Sequence, residues 1–379
     1  MNFDQLLKFG VDQGASAIHL QADASPQVRI GGLIRNVEGL PVKADELKAF
    51  IASIAPKSVS DDIDRSLAAG SIFSTSIAAG RFRCSIFNQI SGPGIVLRVI
   101  PSTIRSVEEL NLPRVVRDVA LASRGLTLVV GPSSSGKTTT LAAMVDVING
   151  ASSLKVVTIE APVEFVHANK KAMVTQMEVG RNVSSFEHGI RLALQQDADV
   201  IVVGDLRDGA VARLVLDEVE AGRKVLAAMT SLSVNQAIAR FISLIPADHK
   251  ETAVSQLAAA LDGVIAQRLA RSRDGKFRPA VEVFRGGVAS IGSIQESRLK
   301  DLSHFIESRQ DGMQSLDQHL LELNQSGAIS GTETMRLATN PEAVAVELRS
   351  HRQANPGPVP AASVPGAPVP VGSQPGLRP

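Results

Sequence analysis

Residues 131–138 read Gly131-Pro132-Ser133-Ser134-Ser135-Gly136-Lys137-Thr138, and no other segment constrains the fold of this chain so strongly. The segment matches G-x-x-x-x-G-K-[ST] at every fixed position. An apolar run at 126–130 precedes it, and a helical pattern over 138–149 follows. A strand that enters such a loop and leaves as a helix belongs to a parallel sheet with helices on its faces. The loop's backbone N–H groups and the helix N-terminus form a concave anion site. On this reading Gly131, Pro132, Ser133, Ser134, Ser135, Gly136, Lys137, Thr138 and the following Thr139 cradle a triphosphate. Lys137 reaches the β- and γ-phosphates, and the Thr138 hydroxyl holds Mg²⁺.

From residue 114 onward the pattern agrees. Apolar runs at 126–130, 155–159, 200–203 and 225–229 alternate with helical stretches. Amphipathic helices are expected at 249–269 and 312–325, the second with a core stripe of Met313, Leu316, Leu320 and Leu323.

Residues 1–100 read as a smaller α/β domain. Helices are expected at 3–13 and 44–54, and strands at 17–20, 28–30, 33–37, 72–78, 81–88 and 95–100. Gly31-Gly32 marks a hairpin turn. In 81–86 alternation puts Phe82, Cys84 and Ile86 on one face and Arg81, Arg83 and Ser85 on the other. Residues 101–113 read as a linker and 114–350 as the second domain. The tail at 351–379 holds eight of the nineteen prolines and almost no charge, and is expected to be disordered or polyproline-like.

Several function classes are disfavoured. A net charge of +1, from 39 basic and 38 acidic residues, gives no electrostatic footprint for nucleic acid. Aromatics make up 3% with no Trp or Tyr, which removes most base-stacking platforms. Cys84 stands alone, so no internal disulfide or thiolate zinc cluster can form, and a reducing compartment fits. No apolar run approaches the roughly 18 residues of a membrane span, and the start lacks a basic region followed by an apolar block. The expectation is a cytoplasmic protein that meets the inner membrane only through partners.

A nucleotide site also needs carboxylates beyond the strand C-termini. Asp205 follows the apolar strand at 200–203 and is the candidate for Mg²⁺, directly or through water. Glu160 and Glu164 follow the strand at 155–159. Glu164 would orient or deprotonate the water attacking the γ-phosphate. By spacing alone a solvated surface glutamate is the competing reading.

Taken together, residues 14–20, 81–83, 98–101, 131–138, 158–167, 203–208 and 312–317 resemble the PilT-type retraction ATPases of type IV pili, within the type II/type IV secretion ATPase superfamily. The resemblance covers roughly residues 1–345. It implies a PAS-like N-terminal domain, a RecA-like P-loop core with C-terminal helices, and a homohexameric ring. It further implies ATP between the two domains with a neighbour's domain closing over it, and a membrane platform protein as partner. Arg81, Arg83 and Arg98 match family arginines that contact phosphate, and Glu164 matches the catalytic glutamate. The single cysteine and short start fit the retraction branch better than the assembly and secretion ATPases, which usually carry a four-cysteine zinc module.

The chain departs from this pattern at informative positions. Ala161 stands where the family has Asp, Asp205 where it has Glu, Ser134 where it usually has Gly, and Arg223 and Thr230 where it has histidines. The motif matching 293–297 is weak. Groups that grip phosphate are retained, and groups that sense it are thinned. The expectation is ATP binding with slow hydrolysis. A degenerate paralogue that supports a catalytic ring is the alternative, and a DNA-translocating motor is a third reading that the neutral charge disfavours.

Overall fold

Alternating apolar residues in the first hundred positions build an antiparallel six-stranded sheet, seen in a computed structural model that describes residues 2–39 and 41–354. Its strands are β1 (Ala17–Gln21), β2 (Gln27–Ile30), β3 (Leu33–Asn36), β4 (Ile72–Ile77), β5 (Gly80–Gln89) and β6 (Gly92–Ile100), in the order β3-β2-β1-β6-β5-β4. Gly31 and Gly32 turn β2 into β3 with φ of +59° and +85°. Positive φ at both central residues gives the turn whose twist suits a hairpin. One sheet face buries Ile18, Leu20, Phe82, Cys84, Ile86 and Leu97 against the helices Phe3–Asp12 and Ala44–Ile54. The other face is basic. Its register runs Arg29, Ala17, Arg98, Arg83 and Ser74 straight across β2, β1, β6, β5 and β4.

The second sheet has seven strands: β7 (Gly125–Val130), β8 (Lys155–Glu160), β9 (Met173–Glu178), β10 (Val200–Val203), β11 (Lys224–Met229), β12 (Leu261–Arg271) and β13 (Phe277–Arg285). Their order is β13-β12-β7-β11-β10-β8-β9, with every neighbour parallel except β12 and β13. β7 is buried along its whole length, as a central strand covered on both faces must be. The helices Phe186–Gln195, Gly209–Glu220, Val234–Leu244 and Lys250–Ala260 cover one face. Val115–Ala120 and Lys137–Ala151 cover the other.

The expected helix at 249–269 is corrected. It stops at Ala260, and the chain continues as β12, hydrogen-bonded between β7 and β13. Most of β12 is buried on both faces, so its apolar run has no alternation to distinguish it from helix. β9 and β13 were not expected either. The helix Leu316–Gln325 begins four residues later than the predicted 312, where Ser315 and Gln318 form a capping box. Residues 101–113 are more than a tether, because Val107, Leu110 and Leu112 are buried in the second domain's core. The final helix runs Pro341–Ala354, and the remainder of the proline-rich tail lies outside the described residues. No described helix is long and apolar enough to cross a membrane.

Candidate functional site

The phosphate-loop motif runs from the end of β7 into the first turn of the helix Lys137–Ala151, as its sequence context requires. Its glycines are dictated by crowding and backbone shape. A Cβ on Gly131 would lie 2.4 Å from both the Gln267 carbonyl oxygen and Ser135 Oγ. Gly136 caps the helix at φ +91°. Ser134 also adopts a left-handed φ of +63°, a conformation that the glycine expected there from the resemblance would take without strain.

Lys137 Nζ folds back onto the loop and donates to the carbonyls of Gly131 and Pro132 at 2.9 Å each. Burial lowers the Lys137 pKa from its usual value, and the negative charge of Asp205 partly restores it. The helix has no side-chain cap, so the N–H groups of its first turn remain available to an anion. Ser135 Oγ is buried and has no hydrogen-bond partner among the described residues. Thr138 and Thr139 are partly exposed on the same turn. Uncapped amides, an unpaired hydroxyl and a lysine with a restrained charge together fit the phosphates of a nucleotide.

One contributor was missed in the sequence. Gln267 on β12 is 3% exposed and holds the loop from below. Its Nε2 donates to the Ser135 carbonyl at 2.7 Å, and its Oε1 accepts the Thr140 hydroxyl at 2.7 Å. The signal was a lone amide inside an apolar run, hidden by reading that run as helix.

Parallel pairing of β8 and β10 brings their C-terminal acids to the same edge of the sheet. Gly204 permits this approach, since a Cβ there would lie 3.2 Å from the Glu160 backbone. Asp205 is ion-paired to Arg207. Glu160 accepts from Thr158 Oγ1 at 2.7 Å and from Gln176 Nε2 at 3.2 Å. Burial raises its pKa, the two hydrogen bonds oppose the rise, and the nearby Glu164 charge adds to it.

Glu164 lies against the basic face of the first domain. Its Oε1 accepts from Arg83 Nη1 at 2.8 Å. Arg81 Nε donates to the Glu164 backbone carbonyl at 2.7 Å, and its Nη2 donates to that of Val163 at 2.6 Å. Arg98 is exposed beside Arg83, and its guanidinium makes no hydrogen bond or ion pair with a described residue. Ile100, Ala142 and Phe165 form a small apolar cluster where the two domains meet.

A cavity of ≈ 380 Å³ opens beside the loop, bounded by Pro132, Ser133, Thr230, Ser231, Gln236 and Arg240. Thr230 therefore faces the loop where the resemblance leads one to expect histidine. Arg223 does not. It precedes β11, at the opposite end of the sheet, where it pairs with Glu218 at 2.8 Å.

Similarity to known proteins agrees with this architecture. Residues 2–341 match the family described as Type II/IV secretion system protein. The type IV pilus retraction ATPase PilT of Pseudomonas aeruginosa is 36% identical over 343 residues, 90% of this chain and 99% of that protein. A twitching motility protein of Neisseria gonorrhoeae is 33% identical, covering 89% of this chain and 91% of its own. A crystal structure of the pilus retraction motor PilT with bound ADP superposes with a TM-score of 0.81 at 32% identity, over 90% of this chain and 98% of that one. A RecA-like ATPase core behind a separate N-terminal sheet domain is thus common to both, and the chain belongs to the Type II/IV secretion system protein family.

Proposed function

We propose that the chain is an ATP-binding, ATP-hydrolysing subunit of a homohexameric motor that retracts type IV pili in twitching motility. It would work at the cytoplasmic side of the inner membrane, against a membrane platform protein. The observation that carries this reading is the phosphate loop with its uncapped amides, retracted lysine and adjacent carboxylates. The likeness to PilT over nearly the whole of both chains supports it.

In this reading Lys137 exchanges two carbonyls for the β- and γ-phosphate oxygens of ATP. Among the described residues no group of three or more His, Cys, Asp or Glu forms a metal cage. A divalent ion would therefore be held by Thr138, Asp205 and the phosphates themselves. A bound Mg²⁺ there would supply neutralisation of the phosphate charge. Glu164 orients the attacking water and takes its proton. The water oxygen bonds to the γ-phosphorus, the bond to the β–γ bridging oxygen breaks, and ADP and phosphate result. Arg83 now holds the Glu164 carboxylate, so a γ-phosphate that attracts Arg83 also frees the base. Arg98, exposed on the neighbouring strand, is available to phosphate from this subunit or the next.

Turnover is slow in this proposal. Asp205 is one methylene short of the usual glutamate and is tied to Arg207. Thr230 offers a hydroxyl in place of an imidazole. Misplacement by ~1 Å near a reacting centre reduces rate by about a hundredfold. The same features favour a second reading, in which the chain binds ATP and supports a catalytic paralogue in a mixed ring. ATPase assays on the full chain, Lys137→Ala and Glu164→Gln separate the two. A rate above that of both variants supports the motor. Equal background rates, with magnesium-dependent ATP binding intact, support the paralogue.

A further inference from the structure

The peptide segment that carries Glu164 is gripped from both domains by groups to which the proposed hydrolytic step gives no role. Ser74 on β4 and Arg81 on β5 stand together on the first domain, with Arg81 Nη2 donating to Ser74 Oγ at 2.9 Å. Ser74 Oγ is 2.8 Å from the Val163 carbonyl oxygen and 3.1 Å from Glu178 Oε2. Glu178, at the end of β9 in the second domain, accepts the Val163 N–H on that same oxygen at 2.9 Å. Its own backbone N–H is braced by Asn182 Oδ1 at 3.0 Å. Arg81 closes the arrangement with its bonds to the carbonyls of Val163 and Glu164.

Both polar groups of the Val163 backbone and the carbonyl of Glu164 are thus fixed. Ser74 and Glu178 are 4% and 6% exposed, so water offers these bonds little competition. Arg81 also donates to Ser76 Oγ at 2.8 Å, which leaves one of its five N–H groups unused. The resemblance led to the expectation that Arg81 contacts phosphate. Its hydrogen bonds instead commit it to the loop.

We propose that Ser74, Arg81 and Glu178 form an interdomain latch that positions Glu164, so that movement of the N-terminal sheet is transmitted to the hydrolytic carboxylate. These are positioning residues in the proposal, since their hydrogen bonds run to the backbone that carries Glu164. The latch rests on the role proposed above for Glu164. It adds a reason why the first domain matters to chemistry beyond supplying phosphate-binding charge. Holding the Val163 and Glu164 carbonyls with one planar guanidinium fixes the direction of the Glu164 side chain between them, which a single bond would not.

The test uses the full chain with Ser74→Ala and Glu178→Ala, and with Ser74→Thr and Glu178→Gln as the variants that restore an acceptor or donor. Amide hydrogen exchange across residues 160–166, measured without nucleotide, is expected to accelerate about tenfold in the alanine variants. ATP turnover is expected to fall about tenfold in kcat with KM within about twofold. The Thr and Gln variants are expected to recover most of both. Ser74→Ala removes a single oxygen, so it carries the test if Glu178→Ala does not fold. Unchanged exchange in Ser74→Ala overturns the latch, as does a loss of ATP affinity that accounts for the whole fall in turnover. If the unmutated chain neither binds nor hydrolyses ATP, the proposed function fails, and the exchange measurement still decides whether the loop is latched.

Discussion

Replacing Gln267 with Met keeps the length and volume of the side chain and deletes both polar atoms that hold the phosphate loop. The site is 3% exposed, so no water replaces them. Two hydrogen bonds of 2.7 Å are lost, each worth about 0.5–1.5 kcal/mol net. The penalties left behind differ. Thr140 can turn its hydroxyl to the carbonyl one helical turn back, at Gly136, as threonines in helices do. The Ser135 carbonyl has no such alternative, and a buried unsatisfied acceptor costs about 1–3 kcal/mol. The expected loss is therefore about 2–4 kcal/mol of unfolding free energy. Urea unfolding gives this number, and calorimetric titration with Mg-ATP gives the effect on the loop, expected as at least tenfold weaker binding. Thr140→Val is the comparison: it breaks one bond and leaves Gln267 attached to Ser135, but strands the buried Gln267 Oε1, so it should cost about 1–3 kcal/mol. The double variant should cost less than the sum of the two, because the shared bond is lost once. A Gln267→Met protein with unchanged stability and unchanged ATP affinity would refute the role given to this residue.

Ser134→Gly relieves a left-handed non-glycine residue and is expected to stabilise the chain by about 1 kcal/mol in urea unfolding. Burial holds the His167 pKa down to about 4, below its ordinary 6.5. The unfolded chain therefore binds more protons between those values, and the contribution of His167 to stability is fully present above pH 6.5 and is lost as pH falls to 4, by up to about 3 kcal/mol. Unfolding of His167→Asn across that window should show a shallower acid decline than the parent. At the other end of the sheet, Lys224 is 1% exposed, donates to Thr127 Oγ1 at 2.9 Å and pairs with Asp262 at 2.7 Å, while Arg285 also approaches Asp262 at 3.4 Å. Asp262→Ala strands a buried lysine and should cost about 3–5 kcal/mol, whereas Lys224→Met leaves Asp262 with Arg285 and should cost clearly less. Equal losses in thermal unfolding would show that the pair is not acting as a buried charge network.

The sequence yielded the parts of this molecule whose signals are local. The phosphate loop is contiguous, and its strand and helix follow from apolar runs on either side. The basic face of β5 followed from alternation over six residues. What stayed hidden depends on partners distant in sequence. β12 reads as helix until β7 and β13 supply its hydrogen bonds. Gln267 is 132 residues from the Ser135 carbonyl that gives it meaning. Spacing left Glu164 undecided between a solvated surface residue and a site residue, and its contact with Arg83 arises only when two domains meet. Thr230 and Arg223 look equivalent as replaced histidines, yet a six-residue strand separates them by its full length, and only Thr230 borders the loop.

The retracted posture of Lys137 bears on which molecules this pocket admits. Carbonyl dipoles already satisfy part of the ammonium's hydrogen-bonding demand. A newcomer must outcompete two well-formed acceptors, and only a multiply charged oxyanion offers enough attraction to do so. An uncharged nucleoside offers Lys137 nothing to replace those two acceptors, so the resting arrangement favours ligands that bring phosphate.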